Sequence, residues 1–313
     1  MSKVAVIFPG QGSQYAGMGL ELTQHFDAAR QTFEEADRAL GFALSRLCFE
    51  GPAEQLQLTA NTQPAILACS IAAYRVLARE GITPAYFAGH SLGEYSALVA
   101  AGSLEFADAL RIVRQRGKYM QEAVPVGTGA MAALIGIGSE SVEELCRQAA
   151  DGEVVSPANF NSPSQIVVAG NAGAVKRVVE LAKAAGAKRA LLLPVSAPFH
   201  CALMHPAQQR LKPELEAARF KDLSVPLINN VRAEEVRTGA DARSGLVDQI
   251  PSPVLWEQSI RRMLRDGVQT FVEVGPGRVL TGLLRQIEPG AAGANVEDLK
   301  SLEKTLAALS LPG

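Results

Sequence analysis

At 313 residues, 48% hydrophobic and 20% charged, the chain has the composition of a folded globular protein with a large core and room for more than one structural unit. Thirty basic against thirty-two acidic residues leave a net charge of −2, which gives no long-range attraction to nucleic acid or to an anionic membrane, so neither is expected as a partner. The four cysteines, Cys48, Cys69, Cys146 and Cys201, contain no C-x-x-C pair, so neither a disulfide framework nor a thiolate metal site is expected. The apolar run at 4–8 is too short for a secretion signal, and the run at 65–74 is about half of a membrane span, so a cytoplasmic location is expected.

The first element is the β-branched, continuously apolar run 3–8, read as a strand buried on both faces, which breaks at Pro9-Gly10-Gln11-Gly12-Ser13. Helical spacing follows over 18–40, and a second helix is expected over 63–80 with Pro64 in its first turn. A strand at 86–88 runs into Gly89-His90-Ser91-Leu92-Gly93 and another helix. Between 130 and 194 the order changes to strand 131–137, helix 139–150, strand 154–159, strand 165–169, helix 172–185 and strand 189–193, the β-α-β-β-α-β order of a ferredoxin-like unit. Alternation then resumes with a strand at 227–230, a helix over 256–266 and a strand at 270–274, while the Gly/Ala-rich stretch 289–294 predicts a loosened tail. The fold expected is a hydrolase-like α/β domain on a parallel sheet, formed by 1–127 and 196–313, with a small ferredoxin-like subdomain, 128–195, inserted in it.

Gly89-His90-Ser91-Leu92-Gly93 is a G-x-S-x-G sequence between a strand and a helix, the context in which a serine is held exposed at a sharp turn. The backbone N–H of Leu92 would then face a developing oxyanion, and the N–H of Gln11, at the end of the neighbouring strand, would be a second donor. The early turn is not a dinucleotide loop, because Tyr15 stands where G-x-G-x-x-G requires glycine. A serine needs a base, and of the four histidines His200 follows the stiff segment Ser196-Ala197-Pro198-Phe199, whereas His25 lies in a helical stretch, His90 adjoins the serine itself and His205 is a turn later. The acceptor for the other imidazole N–H is either Asp248 or a backbone carbonyl around Gln249. Arg111, Arg114, Arg116 and Lys118 cannot share one helix face, so most of them are solvated, and Cys201 beside His200 is discounted as a partner for it.

Six segments in order, Phe8-Pro9-Gly10-Gln11-Gly12-Ser13-Gln14, Thr62-Gln63-Pro64-Ala65, Gly89-His90-Ser91-Leu92-Gly93-Glu94-Tyr95, Arg116-Gly117-Lys118-Tyr119-Met120, Pro198-Phe199-His200 and Glu273-Val274-Gly275-Pro276-Gly277, resemble the malonyl-CoA:acyl carrier protein transacylases of bacterial fatty-acid synthesis. The resemblance runs over about 4–284 and leaves the tail after Glu288 uncovered. It implies that Ser91 is the acylated nucleophile, His200 its base, Gln11 and Leu92 the oxyanion donors, Arg116 the partner of the malonyl carboxylate, and the Gln249 carbonyl the group that orients His200. It further implies malonyl-CoA and acyl carrier protein as partners and no metal or redox cofactor. One departure is Phe199, where the stand-alone enzymes often have serine. Lys176, Lys183, Lys188 and Arg189 in the small subdomain are candidates for meeting the acidic carrier protein.

Overall fold

The computed structural model describes residues 3–195 and 197–310; the expected subdomain boundary at 195/196 falls on Ser196, outside them. Strand β1 (Lys3–Phe8) divides its side chains between two cores, as strict alternation requires. Val6 and Phe8 join one hydrophobic cluster with Ile66 and Phe87, while Ala5 and Ile7 join another with Trp256 and Ile260. A strand loaded this way must have helices on both faces, and β1 is accordingly interior to its sheet.

Strand β2 (Tyr86–Gly89) pairs with β1 in parallel. The next four strands, β3 (Gly129–Ile135), β4 (Val155–Ser162), β5 (Gln165–Asn171) and β6 (Arg189–Leu192), form a separate antiparallel sheet in the order β4-β5-β3-β6. The helices Ser139–Ala149 and Ala172–Ala184 cover one face of it through Val142, Val175 and Val178 against Ala132, Leu134 and Val168. That is the ferredoxin-like arrangement read from the chain. Its other face, with Met131, Ala133 and Val167, belongs to the large core.

The chain then returns to the first sheet with β7 (Leu227–Ile228), β8 (Glu235–Val236), β9 (Val268–Val274) and β10 (Ala292–Val296), in the order β10-β9-β1-β2-β7-β8. The sheet is parallel, as expected, with one addition: β8 pairs antiparallel with β7 at the edge. The loosened tail is corrected. Residues 292–296 pair in register with β9, because Gly293 lets the edge strand lie directly on Leu284 and Thr281. The helix Leu299–Ser310 follows it and buries Leu302 and Thr305.

Two helical expectations shift. The span 18–40 is two helices, Leu20–His25 and Asp27–Leu40, because Phe26 is extended and its N–H closes the first helix on the Leu22 carbonyl at 2.9 Å. The helix expected to open at Gln63 runs from Thr59 to Leu77, with the Thr62 hydroxyl tied to the Leu56 carbonyl at 2.6 Å. Pro64 is therefore inside it, and the packing of an almost wholly buried helix offsets the hydrogen bond that Pro64 cannot donate. The helix Phe106–Glu122 crosses its start at Gly117, where a Cβ would lie 2.5 Å from the Thr59 carbonyl oxygen. This close crossing brings position 116 beside position 63.

The carboxyl ends of β1, β2 and β7 meet in one crevice, the usual place for a site in such a sheet. Beside it, a Cβ on Gly93 would lie 2.1 Å from the Phe8 carbonyl oxygen. Gly93→Ala should therefore destabilise the protein by about 1–3 kcal/mol, since neither backbone can yield. Gly282→Ala, in an exposed helix interior with no atom within 4 Å of the new Cβ, should be stabilising by about 0.5–1 kcal/mol. Urea midpoints measure both, and equal shifts would show that the Gly93 contact does not constrain the fold.

Candidate active site

Ser91 lies between β2 and the helix Gly93–Ala100, with φ at 51°, left-handed backbone that serine adopts only when its surroundings force it. The surroundings here are the neighbouring glycines: a Cβ on Gly89 would lie 1.9 Å from the Gly93 carbonyl carbon. The turn is further held by Asn230, just after β7, whose Oδ1 accepts the Ser91 N–H at 2.7 Å and whose Nδ2 donates to the Gly89 carbonyl at 2.7 Å. Asn230 is fully buried.

His200 comes to this turn from 109 residues away, with its Nε2 2.7 Å from Ser91 Oγ. It too has a left-handed φ, 60°. Its Nδ1 faces two backbone carbonyls, Gln249 and Ser252, each at 3.1 Å. Carbonyls only accept, so Nδ1 carries the proton and Nε2 is the acceptor for the serine hydroxyl. The alternative left open between Asp248 and a carbonyl thus falls to the carbonyl, because Asp248 instead pairs with Arg232 at 3.2 Å and is 40% exposed. Burial, the positive charge of Arg116 and nearby His90 push the His200 imidazole down to about 3, against the carbonyl bonds that raise it. It is a neutral base at ordinary pH.

Of the four cationic residues on the helix Phe106–Glu122, only Arg116 is buried, at 1% exposure. Arg111 pairs with Asp108, and Arg114 stacks on the Phe42 ring. The Arg116 guanidinium donates from Nη1 to Gln63 Oε1 at 2.9 Å, and from Nη2 to Gln249 Oε1 at 2.9 Å and Ser91 Oγ at 3.0 Å. Ser91 Oγ therefore stands between a base that accepts its proton and a fixed positive charge. Beneath it, burial pushes the Glu94 carboxyl up to about 7, opposed by hydrogen bonds from Gln249 and Asn230 and by the charge of Arg116.

The two expected oxyanion donors flank the same pocket. Gln11 and Leu92 line it, and among the described residues neither backbone N–H has a partner within the chain. The remaining walls are largely apolar: Met120, Met131, Leu193, Val195 and Phe199. Met131 comes from β3, and Leu193 and Val195 from just beyond β6, so the small sheet closes one side of the pocket.

The other histidines are elsewhere or otherwise engaged. His25 and His205 are exposed, the latter beside Gln208. His90 lines the pocket but its Nε2 is engaged by Asn161 Oδ1 at 2.8 Å. Cys201 is buried, with its thiol on the Pro198 carbonyl. Lys176 and Lys183 on the helix Ala172–Ala184, Lys188 after it and Arg189 at the start of β6 are exposed, and Lys176 and Lys183 lie beside the exposed Leu191 and Leu192. Among the described residues, no group of three or more His, Cys, Asp or Glu could hold a metal ion, and no helix is long and apolar enough to cross a membrane.

Reading the residues missed Asn230, Glu94 and the second carbonyl, Ser252. Gln63 and Glu94 were inside recognised segments, but their type and spacing alone assign them no task.

A model of the acyl transferase domain matches residues 5–302, which extends into the tail that the resemblance left uncovered. The chain is 49% identical over 310 residues to the malonyl CoA-acyl carrier protein transacylase of Bacillus subtilis (strain 168), covering 99% of this chain and 98% of that protein. It is 51% identical over 308 residues to the transacylase of the same name from Escherichia coli (strain K12), covering 95% of this chain and all of the other, 100%. A solved malonyl-transacylase in complex with its type II PKS acyl-carrier protein superposes with a TM-score of 0.96 at 48% identity, covering 98% of this chain and 100% of that one. With a strand-to-helix serine, a desolvated histidine and a buried arginine inside a fold shared over nearly its whole length, the chain belongs to the acyl transferase domain family and, within it, to the malonyl CoA-acyl carrier protein transacylases.

Proposed function

We infer that the protein transfers the malonyl group of malonyl-CoA to the phosphopantetheine thiol of acyl carrier protein, in the cytoplasm, supplying extender units for fatty-acid elongation. The observation that carries this reading is the buried Arg116 fork, 3.0 Å from the hydroxyl that is itself 2.7 Å from His200. A generic serine hydrolase has no use for a guanidinium there. A malonyl group brings a carboxylate into the pocket, and a planar guanidinium can meet it with two charge-assisted hydrogen bonds.

In the first half-reaction Ser91 Oγ attacks the thioester carbonyl while His200 Nε2 takes its proton. The tetrahedral oxyanion is held by the N–H groups of Gln11 and Leu92. The C–S bond then breaks, and coenzyme A leaves with the proton from His200. In the second half-reaction the carrier thiol gives its proton to His200 and attacks the malonyl-serine carbonyl; the C–O bond then breaks, and Ser91 Oγ takes the proton back from His200. The Gln249 carbonyl orients the imidazole throughout. Every group in this scheme is a side chain or backbone amide of the chain itself, so the reaction as written calls on no cofactor. Residues 128–195 serve as the small unit that walls the pocket, and Lys176 and Lys183, the latter paired with Glu180 at 2.8 Å, offer an acidic carrier two cations beside the exposed Leu191 and Leu192 of that unit.

Mixing with malonyl-CoA should add one malonyl group to the protein's intact mass, and the adduct should persist until a thiol acceptor is supplied. Ser91→Ala should abolish it; an adduct surviving in that variant would remove Ser91 from the scheme. Arg116→Ala should slow malonyl transfer by roughly 10²–10⁴-fold, the effect of leaving a buried carboxylate unpaired. It should also raise acetyl transfer relative to malonyl. Equal falls for the two thioesters would place Arg116 in the fold alone.

Because His200 is pushed down to about 3, acylation in Glu94→Gln, which removes the one neighbouring carboxyl that burial raises to about 7, should stay constant as pH falls through the ordinary imidazole value near 6.5. Single-turnover rates across pH 5 to 8 test this, and a loss centred near 6.5 would show an imidazole that titrates normally. The same depression has a stability cost: between about 6.5 and 3 the unfolded chain binds a proton at this residue that the folded chain does not, so its contribution weakens the fold as pH drops.

A further inference from the structure

Glu94, at 1% exposure, carries a buried carboxylate that no step above uses. Its Oε2 accepts from Gln249 Nε2 at 2.9 Å and from the backbone N–H of Asn230 at 3.0 Å. Both of these residues touch the reacting centre. Asn230 Oδ1 holds the Ser91 N–H at 2.7 Å. Gln249 Nε2 also donates to the Ser91 carbonyl at 3.0 Å, its Oε1 accepts from Arg116 Nη2 at 2.9 Å, and its backbone carbonyl is 3.1 Å from His200 Nδ1. One carboxylate thus touches two residues, Asn230 and Gln249, that between them reach Ser91, Arg116 and His200.

The donor and acceptor inventory gives this chain a direction. A carboxylate only accepts and a guanidinium only donates, so an amide held between them has one satisfactory orientation, with its NH₂ toward Glu94 and its oxygen toward Arg116. Turned over, it would set N–H donors against the guanidinium and an oxygen against the carboxylate. Among groups this buried, that reversal leaves polar atoms without a matching partner on both sides. Above the value near 7 to which burial raises it, ionised Glu94 acts with the Ser91 carbonyl and Asn230 Oδ1, which share Gln249 Nε2, to set which atom of Gln249 Arg116 meets, and it is the only charged acceptor of the three.

We propose that Glu94 is a positioning residue for acyl-group selectivity, acting through the Gln249 amide to hold the Arg116 fork at Ser91 and so favouring an acyl group that brings its own carboxylate. The proposal rests on the reading that Arg116 meets that carboxylate. A carboxylate that merely tied Asn230 to the helix Gly93–Ala100 would, when neutralised, weaken transfer of every acyl group alike.

The test compares acyl-enzyme formation from malonyl-CoA and acetyl-CoA in the full chain, in Glu94→Gln, in Arg116→Ala and in the double variant. Glu94→Gln keeps the side-chain volume and removes the charge that orients Gln249. It should lower the malonyl-to-acetyl ratio of kcat/KM about tenfold, the size of effect expected for one hydrogen bond to a charged group. The effect should vanish in the Arg116→Ala background, because the two residues act in one chain. An unchanged ratio in Glu94→Gln, with the ratio collapsed in Arg116→Ala, overturns the role of Glu94 alone. An unchanged ratio in Arg116→Ala overturns the underlying reading of Arg116. A Glu94→Gln effect that persists undiminished without Arg116 overturns the route through Gln249. Where Glu94→Gln does not fold, Glu94→Asp keeps the charge but withdraws the acceptor by one methylene; it should lower the ratio as well, and a ratio equal to that of the unaltered chain would overturn the proposal.

Discussion

The structure depends on a contact between two pieces of backbone that leaves no room for a side chain. At Gly93 the start of a helix presses against the carbonyl end of β1, and at Gly89 the strand end presses against Gly93. This doubling back leaves Ser91 in a left-handed conformation that costs on the order of 1–3 kcal/mol, which the surrounding sheet and the Asn230 side chain offset. In exchange the hydroxyl projects from the crown of the turn, and among the described residues the N–H of Leu92 has no partner, which leaves it free for the oxyanion role proposed above. The rigidity matters as much as the position, since preorganised donors need no rearrangement as charge develops.

Around this turn the protein gathers charged groups that would each be costly alone. Arg116, Glu94 and His200 are all buried, and an isolated ion at that depth would be strongly disfavoured. They are made tolerable by amides: Gln63 and Gln249 accept from the guanidinium, while Gln249 and the Asn230 backbone donate to the carboxylate. The imidazole meets the same environment by remaining neutral, since burial and the neighbouring guanidinium both disfavour its protonation. The positive charge beside Ser91 and the unprotonated base facing it thus arise from one desolvated cluster. A second buried carboxylate, Glu273, shows the contrasting use: it accepts the N–H groups of Leu280 and Thr281 and the Thr281 hydroxyl, and serves the junction between β9 and the helix Val279–Ile287.

The small antiparallel sheet joins this cluster by packing rather than by chemistry. Its Met131 enters the pocket from β3, and Asn161, from β4, engages His90 immediately before Ser91. The sheet carries its own core beneath two helices, yet its second face is continuous with the core of the larger unit. Pocket shape is therefore set by how two separately patterned sheets meet, and Phe199 contributes to that wall as one more apolar surface.

What the amino-acid sequence determined by itself was local: the buried strands, the β-α-β-β-α-β order, the serine at a strand-to-helix turn and the stiff segment that ends in His200. Each is legible because period, turn chemistry and proline stiffness act over a few neighbouring residues. The departures are local patterns overridden by packing: the extended Phe26 inside a helical run, the Pro64 buried within a helix, and a glycine-rich tail that became an edge strand on β9. Which of four cations entered the core, and whether Asp248 or a carbonyl lies against His200 Nδ1, only the tertiary structure decided. Arg116 differs from Arg111, Arg114 and Lys118 only in facing Gln63 and Gln249, 53 and 133 residues away. Asn230 and Glu94 carried no local signal at all, because the site's polar network is made of contacts between segments that are distant in the chain, and nothing in a residue's immediate neighbours records which distant group it will meet.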